Sequence, residues 1–339
     1  MNKNTFAGVG VLATAATIGG AAFAGKKTVD FIQSLKENAR DIDIIQEDGQ
    51  PFANSRYYRE GDYAIHYRID PACTPNIRGK MFMIHGFACN TTFYDEMVEI
   101  YTHYGFTCVR VDVPNCGNST RENENVKPID REDLFLHLID VLDASGEVPA
   151  GKWILIGHSM GGGISLNIAY DAPEKFLCDI LYAPMAAVDA PQFVKNLVTM
   201  PVMANMCDSM FRIACSNDII MKCVVMLMTV DVRYSALYDV RKFSDGLVAH
   251  GSGAGMCYMM ARARPTLHEN MAKVEIPVQL VWGKMDLFNA KSTVRKFQGA
   301  LRAPQVSVVP LAGHCLVQNA AREVCDGTVD FLKDMDIIA

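Results

Sequence analysis

Gly157-His158-Ser159-Met160-Gly161-Gly162 directly follows the apolar run Trp153-Ile154-Leu155-Ile156 and opens a stretch of helical spacing. A serine at a sharp strand-to-helix turn has its hydroxyl lifted clear of the backbone. The flanking glycines are needed because the turn is strained and the chain packs too closely around it for larger side chains. A serine hydroxyl becomes a useful nucleophile only with an imidazole to take its proton and a carboxylate to orient that imidazole. Asp286 lies just past the apolar run 278–282, and His314 follows the last such run, in Leu311-Ala312-Gly313-His314. Both fall where loops leave strand ends, in the chain order Ser, acid, His that such sites use. The chemistry these residues could perform together is acyl transfer through a covalent intermediate. It also needs two donors for the tetrahedral oxyanion. The backbone N–H of Met160, after the nucleophile, is one. The other is expected from Phe87, in His85-Gly86-Phe87 after the apolar run Met81-Phe82-Met83-Ile84. No metal or organic cofactor is required.

Other groups read as structural. His85 precedes the serine and lies in the wrong loop for a base, so it is expected to brace that loop by hydrogen bonding. His66, His103, His137, His250 and His268 read as core or surface groups, and Asp179, Asp189, Asp208 and Asp218 fall inside a strand or in the long middle segment.

These side chains are far apart in the polymer and must be brought together by regular elements. Residues 57–69 alternate about Glu60-Gly61-Asp62 and predict a hairpin. Apolar strand runs at 80–84, 107–113, 152–157, 176–183, 276–282 and 306–310 alternate with helical spacing at 92–104, 131–144, 159–170, 291–301 and 320–333. Such alternation predicts an α/β fold with a mostly parallel, doubly wound sheet. Residues 185–264 break the rhythm with helical, methionine-rich sequence, too long for a connection, and are expected to form an inserted helical cap. The core is then 56–184 with 265–339. Met200, Met203, Met206 and Met210 recur at intervals of three and four. They are expected to share one helix face, either ordinary core or a pliable apolar wall for a substrate chain.

At 339 residues, half of them apolar and 21% charged, the chain can bury a large core and is not a disordered one. A net charge of −6 argues against a phosphate-backbone partner, so no nucleic acid is expected. Eleven cysteines include no Cys-x-x-Cys, which disfavours zinc and redox-dithiol motifs and suits buried thiols in a reducing compartment. Residues 6–24 carry no charge and are flanked by Lys3, Lys26 and Lys27. They predict either a weak membrane anchor or a cleaved signal peptide ending at Ala22-Phe23-Ala24, with a buried helix as a third reading. The basic excess after the stretch would hold the catalytic part on the cytoplasmic side; cleavage would instead give a secreted or periplasmic protein. Residues 26–55 read as a linker or surface helix.

Five stretches in order resemble the motifs of the α/β-hydrolase fold superfamily. They are His85-Gly86-Phe87, Asp112-Val113-Pro114-Asn115-Cys116-Gly117-Asn118-Ser119, the Ser159 turn, Trp282-Gly283-Lys284-Met285-Asp286 and Gly313-His314. Within it the chain is most similar to the monoacylglycerol lipase and carboxylesterase side. Ser159 separates it from the haloalkane dehalogenases and epoxide hydrolases of this fold, which use Asp. The resemblance implies a serine hydrolase of carboxylic esters, with a small-molecule or lipid ester as substrate. A peptidase or amidase, a C–C hydrolase or an acyltransferase would use the same three residues, and a ligand receptor or scaffold could keep the fold without turnover. One departure is Asn115-Cys116-Gly117, where the family often has Gly-x-Gly.

Overall fold

The computed structural model describes residues 33–44, 50–187, 190–266, 271–289 and 291–338. β1 (Ser55–Glu60) and β2 (Tyr63–Asp70) form the hairpin, turning at Gly61 with φ +54°. β3 (Gly79–Ile84), β4 (Phe106–Val111), β5 (Trp153–His158), β6 (Phe176–Tyr182), β7 (Val278–Gly283) and β8 (Gln305–Val309) complete one eight-stranded sheet. The spatial order is β1-β2-β4-β3-β5-β6-β7-β8. β1 and β2 run antiparallel, as do β2 and β4, and the other neighbours are parallel. Every residue of β4, β5 and β7 is buried, the pattern of strands covered on both faces. The predicted doubly wound α/β sheet is therefore the fold observed.

Helices α1 (Asp95–His103), α2 (Arg131–Ser145) and α3 (Met160–Asp171) lie between the early strands. The α2 ends are written in the sequence: the Asp130 side chain accepts from the Glu132 amide, and Gly146 closes the helix at φ +73°. Between β6 and β7 run six helices, with no strand among the described residues. They are α4 (Gln192–Val198), α5 (Pro201–Cys215), α6 (Asp218–Thr229), α7 (Val232–Leu237), α8 (Arg241–Val248) and α9 (Ser252–Ala261). After β7 come α10 (Lys291–Ala300) and, beyond β8, α11 (Leu316–Asn319) and α12 (Ala321–Asp334).

The segment before β1 is tied to this helical interval. Arg40 pairs with Asp245 and donates to Cys215 O at 3.0 Å and Ser244 Oγ at 2.6 Å. Asp41 takes Arg212 at 3.1 Å and His250 at 2.5 Å, and the His250 amide donates to Ile42 O. Among the described residues no helix is long and apolar enough to cross a membrane. Residues 6–24, on which the anchor and signal-peptide expectations rest, lie outside the described residues.

Two buried carboxyls flank α3. Ser165 Oγ donates to Asp179 Oδ2 at 3.2 Å and Asn167 Nδ2 to Glu132 Oε1 at 2.8 Å, while Asp179 Oδ1 and Glu132 Oε2 have no partner. Burial pushes Asp179 up to about 8 and Glu132 up to about 7. Near neutral pH the folded protein thus holds a proton on Asp179 that the unfolded chain, with a carboxyl near 4, has already released. This linkage makes stability fall as pH rises from about 4 to about 8. Asp179→Asn keeps an acceptor for Ser165 and removes the ionisation. Its melting temperature by calorimetry is expected to exceed that of the wild type by several degrees at pH 8.5, with the gap narrowing steadily towards pH 4.5. Equal melting temperatures at pH 8.5 would contradict this.

Candidate active site

Ser159 sits between β5 and α3 at φ +52°, ψ −116°, a conformation an L-residue adopts only under constraint. The constraint is visible in its neighbours. Its amide donates to Tyr182 O, and its carbonyl accepts from the Gly162 and Met185 amides. A Cβ at Gly157 would lie 2.6 Å from Gly162 Cα, and one at Gly161 would collide with the carbonyl oxygens of Ile84 and His85. The glycine pattern therefore reflects missing space as much as torsional freedom.

His314 and Asp286 converge on this serine. His314 Nε2 lies 2.9 Å from Ser159 Oγ, and Nδ1 lies 2.9 Å from Asp286 Oδ2. Asp286 is an acceptor only, so Nδ1 carries the proton and Nε2 is free to accept the hydroxyl hydrogen. The other Asp286 oxygen accepts from the Phe288 and Asn289 amides at 2.8 and 2.9 Å. Asn289 is itself anchored to Ala183 O. Ser159 and His314 are only 4% and 3% exposed, so the site is closed over.

The loop carrying Phe87 lies against the serine: a Cβ on Gly86 would be 3.2 Å from Ser159 Cβ. Ala88 takes a left-handed φ of +60°, and Cys89 N returns to Gly86 O, so the loop is a tight turn. Among the described residues the Phe87 amide is committed to no backbone carbonyl, and Met160 opens α3, where a helix leaves its first amides without intrahelical partners. His85 braces the loop from beneath, donating from Nδ1 to Gly86 O at 2.8 Å and accepting the Val113 amide on Nε2 at 3.1 Å. Burial holds its pKa down, which keeps the ring neutral for that double role.

None of the four methionines Met200, Met203, Met206 and Met210 belongs to the buried core. Met200, Met206 and Met210 are 50, 53 and 46% exposed, and α5 packs through Ala204 and Cys215 onto other helices of the same interval. Met203 is half-buried. The methionine spacing thus gives a stretch standing largely in solvent, and the expectation of ordinary core is corrected.

Other contacts had no sequence signal. The Gly313 and Cys315 amides, either side of His314, donate to Thr229 O and Met228 O at the end of α6. Asp112 is wholly buried between His66 Nδ1 at 2.7 Å and the amides of Thr91 and Asn118, and His66 Nε2 meets Ser55 Oγ at 2.8 Å. Burial works to raise the Asp112 carboxyl, but His66 beside it outweighs this and holds it below its ordinary value. Ser55, His66 and Asp112 thus repeat the bonding order of the site with no exposure to solvent. They pin the ends of β1, β2 and β4 and the loop after β3. Asn115, which stands where glycine was expected, adopts φ +74° and bonds through its side chain to Glu122 on both sides. Asparagine tolerates this left-handed region better than most residues.

The chain matches the family described as "Serine aminopeptidase, S33" over residues 75–319. It belongs to that α/β-hydrolase family. Its relatives include the monoacylglycerol lipase ABHD6 of Bos taurus, 24% identical over 295 residues that cover 83% of this chain and 82% of that one. The Homo sapiens ABHD6 is likewise 24% identical, over 296 residues and the same shares. Among solved structures it is similar to an enol-lactonase from Burkholderia xenovorans LB400, with a TM-score of 0.64 at 16% identity, covering 82% of this chain and all of that one. A membrane phospholipase A gives a TM-score of 0.62 at 18% identity over 97% and 98% of the two chains. At these identities the structural likeness concerns the fold.

Within this family frame, His158 stands out as a tie between the two sides of the site. It is fully buried, and its Nε2 donates to the His314 carbonyl at 2.9 Å. Its ring lies 4.9 Å from the His314 ring and 4.6 Å from Phe93. Burial drives its pKa down, so it remains a neutral donor. His158→Leu keeps bulk and deletes the bond. Loss of one such bond that holds the imidazole in register is expected to lower kcat about tenfold while KM changes less than threefold. Steady-state kinetics on a chromogenic ester test this; unchanged kcat in a folded variant would show that the bond does not position His314.

Proposed function

We propose that the protein is a serine hydrolase that cleaves carboxylic esters of lipid origin, monoacylglycerols or close analogues, through an acyl-enzyme. The observation that carries this reading is His314 bridging Ser159 and Asp286 at hydrogen-bond distance on both sides. Ser159 attacks the ester carbonyl and His314 takes its proton through Nε2. Asp286 steadies the imidazolium, and the Phe87 and Met160 amides receive the oxyanion. His314 then returns the proton to the leaving alcohol, and water repeats the sequence to release the acid.

The family description names an aminopeptidase, whereas the curated relatives are named as monoacylglycerol lipases. An aminopeptidase needs a carboxylate free to hold the substrate's ammonium group. In the β6–β7 interval Asp208 accepts from the Gly253 amide, Asp231 from Tyr234 and Asp239 from Arg241, and Asp218 lies 3.8 Å from Arg241. Three of these acids serve as local acceptors of backbone amides, which together with the lipase-named relatives supports the ester reading.

Residues 185–264 are read as a cap over the core, and the burial of Ser159 and His314 calls for it to open when substrate enters. Phe193, Met200, Val202 and Met206 project from α4 and α5 into solvent. Because Arg40 and Asp41 hold the preceding chain to α5 and α8, an anchor formed by residues 6–24 would keep this apolar face close to a membrane, with the catalytic part on the cytoplasmic side.

A fluorophosphonate probe is expected to label the wild type and not Ser159→Ala, and His314→Ala to lose on the order of 10^4-fold or more in kcat. On p-nitrophenyl esters of increasing chain length, medium or long acyl chains should be cleaved at least tenfold faster than aminoacyl anilides. Preference for the anilides would return the peptidase reading, and an unlabelled, folded wild type would favour a receptor.

A further inference from the structure

Two of the eleven thiols are placed to react with each other. Cys207 is on α5 and half-buried; Cys257 is on α9 and 3% exposed. The two helices meet almost backbone to backbone. A Cβ at Gly253 would lie 2.5 Å from Cys207 O and 2.6 Å from Asp208 Cα, and the Gly253 amide donates to Asp208 Oδ1 at 3.0 Å. Cys257 follows Gly253 by four residues, one turn along the same face, and so points back at α5. The two thiols lie close enough for each to perturb the other's ionisation. Cys257 beside it pulls Cys207 down to about 7, although burial and Asp208 both oppose this, and Cys257 itself is driven upward. Cys207 is also the more open of the two, and so the sulfur that a small oxidant reaches first.

We infer that Cys207 and Cys257 form a peroxide-oxidisable dithiol, in which Cys207 is the attacking sulfur and Cys257 the resolving one, joining α5 to α9 as a disulfide. The Cys207 thiolate attacks one oxygen of hydrogen peroxide, the O–O bond breaks, and the hydroxide released takes up a proton as water, leaving a sulfenic acid. Cys257 sulfur then attacks Cys207 sulfur, the S–O bond breaks, and the oxygen leaves as water with the Cys257 proton. Two thiols lose two electrons and two protons, and one peroxide becomes two waters. Half-burial of Cys207 admits a molecule as small as peroxide, while burial of Cys257 reserves it for its neighbour. Asp208 and Cys257 are the ionisable groups that bear on Cys207. The exposed thiols Cys73 and Cys223 serve as internal comparisons.

The experiment uses the full-length reduced protein, treated with equimolar hydrogen peroxide, alkylated with iodoacetamide under denaturing conditions and digested without reduction for mass spectrometry. The expected product is a cross-linked peptide pair joined at Cys207 and Cys257, two hydrogens lighter than the free pair and abolished by dithiothreitol. Cys207 recovered as sulfinic acid while Cys257 is still fully alkylated would overturn the inference. Separately, the pH midpoint of Cys207 alkylation in the untreated native protein should lie near 7. In Cys257→Ala it should rise towards the ordinary thiol value of about 8.5. A wild-type midpoint already at that ordinary value would count equally against the pair, and needs no variant to fold.

Discussion

Ser159 is held at a left-handed φ by a chain that has no room to relax. The turn from β5 into α3 is squeezed between the end of β3, where Ile84 and His85 carbonyls press on Gly161, and the start of the β6–β7 interval, where the Met185 amide bonds back to Ser159 O. Strain of this kind costs on the order of 1–3 kcal/mol and persists only where the surroundings over-determine it. Here they include Gly86, whose backbone lies against Ser159, and the Tyr182 carbonyl that fixes the serine amide. The hydroxyl position is thus set by three strands of the sheet at once, and the rest of the site is arranged around it.

The loops that complete the site are held by buried polar groups. Asp112 joins the loop after β4 to the loop after β3 and, through His66 and Ser55, to the outer hairpin. His85 spans from the Val113 amide to the Gly86 carbonyl. A buried carboxylate is tolerated when each of its oxygens has a partner, and both Asp112 oxygens do while Asp179 Oδ1 has none. Burial raises both carboxyls, and only Asp112 has a neighbouring His66, with further donors, to bring it back below its ordinary value.

The helical interval between β6 and β7 takes part in the construction of the site. Carbonyls at the end of α6 fix the backbone on either side of His314, and the close approach of Gly255 on α9 to Asn115 locks the loop after β4. A change in the packing of these helices would therefore reach the imidazole through hydrogen bonds as well as through access. The same closeness, between α5 and α9, is what brings Cys207 and Cys257 together.

Local sequence carried the alternation of strands and helices, the Ser159 turn, and the positions of Asp286 and His314 at strand ends, because each leaves a short-range signature in hydrophobic period or glycine spacing. It also carried the structural role of His85, from its loop and its order in the chain. It did not distinguish inward from outward on α5, since the spacing of Met200, Met203, Met206 and Met210 gives a helix face but not its direction. Nor did it announce the His158 bond to His314, the α6 carbonyls behind the histidine loop, the Ser55–His66–Asp112 chain or the thiol pair. These join residues separated by tens to hundreds of positions, and only the packing of the folded chain, which decides which polar groups lose water together, brings them within bonding distance.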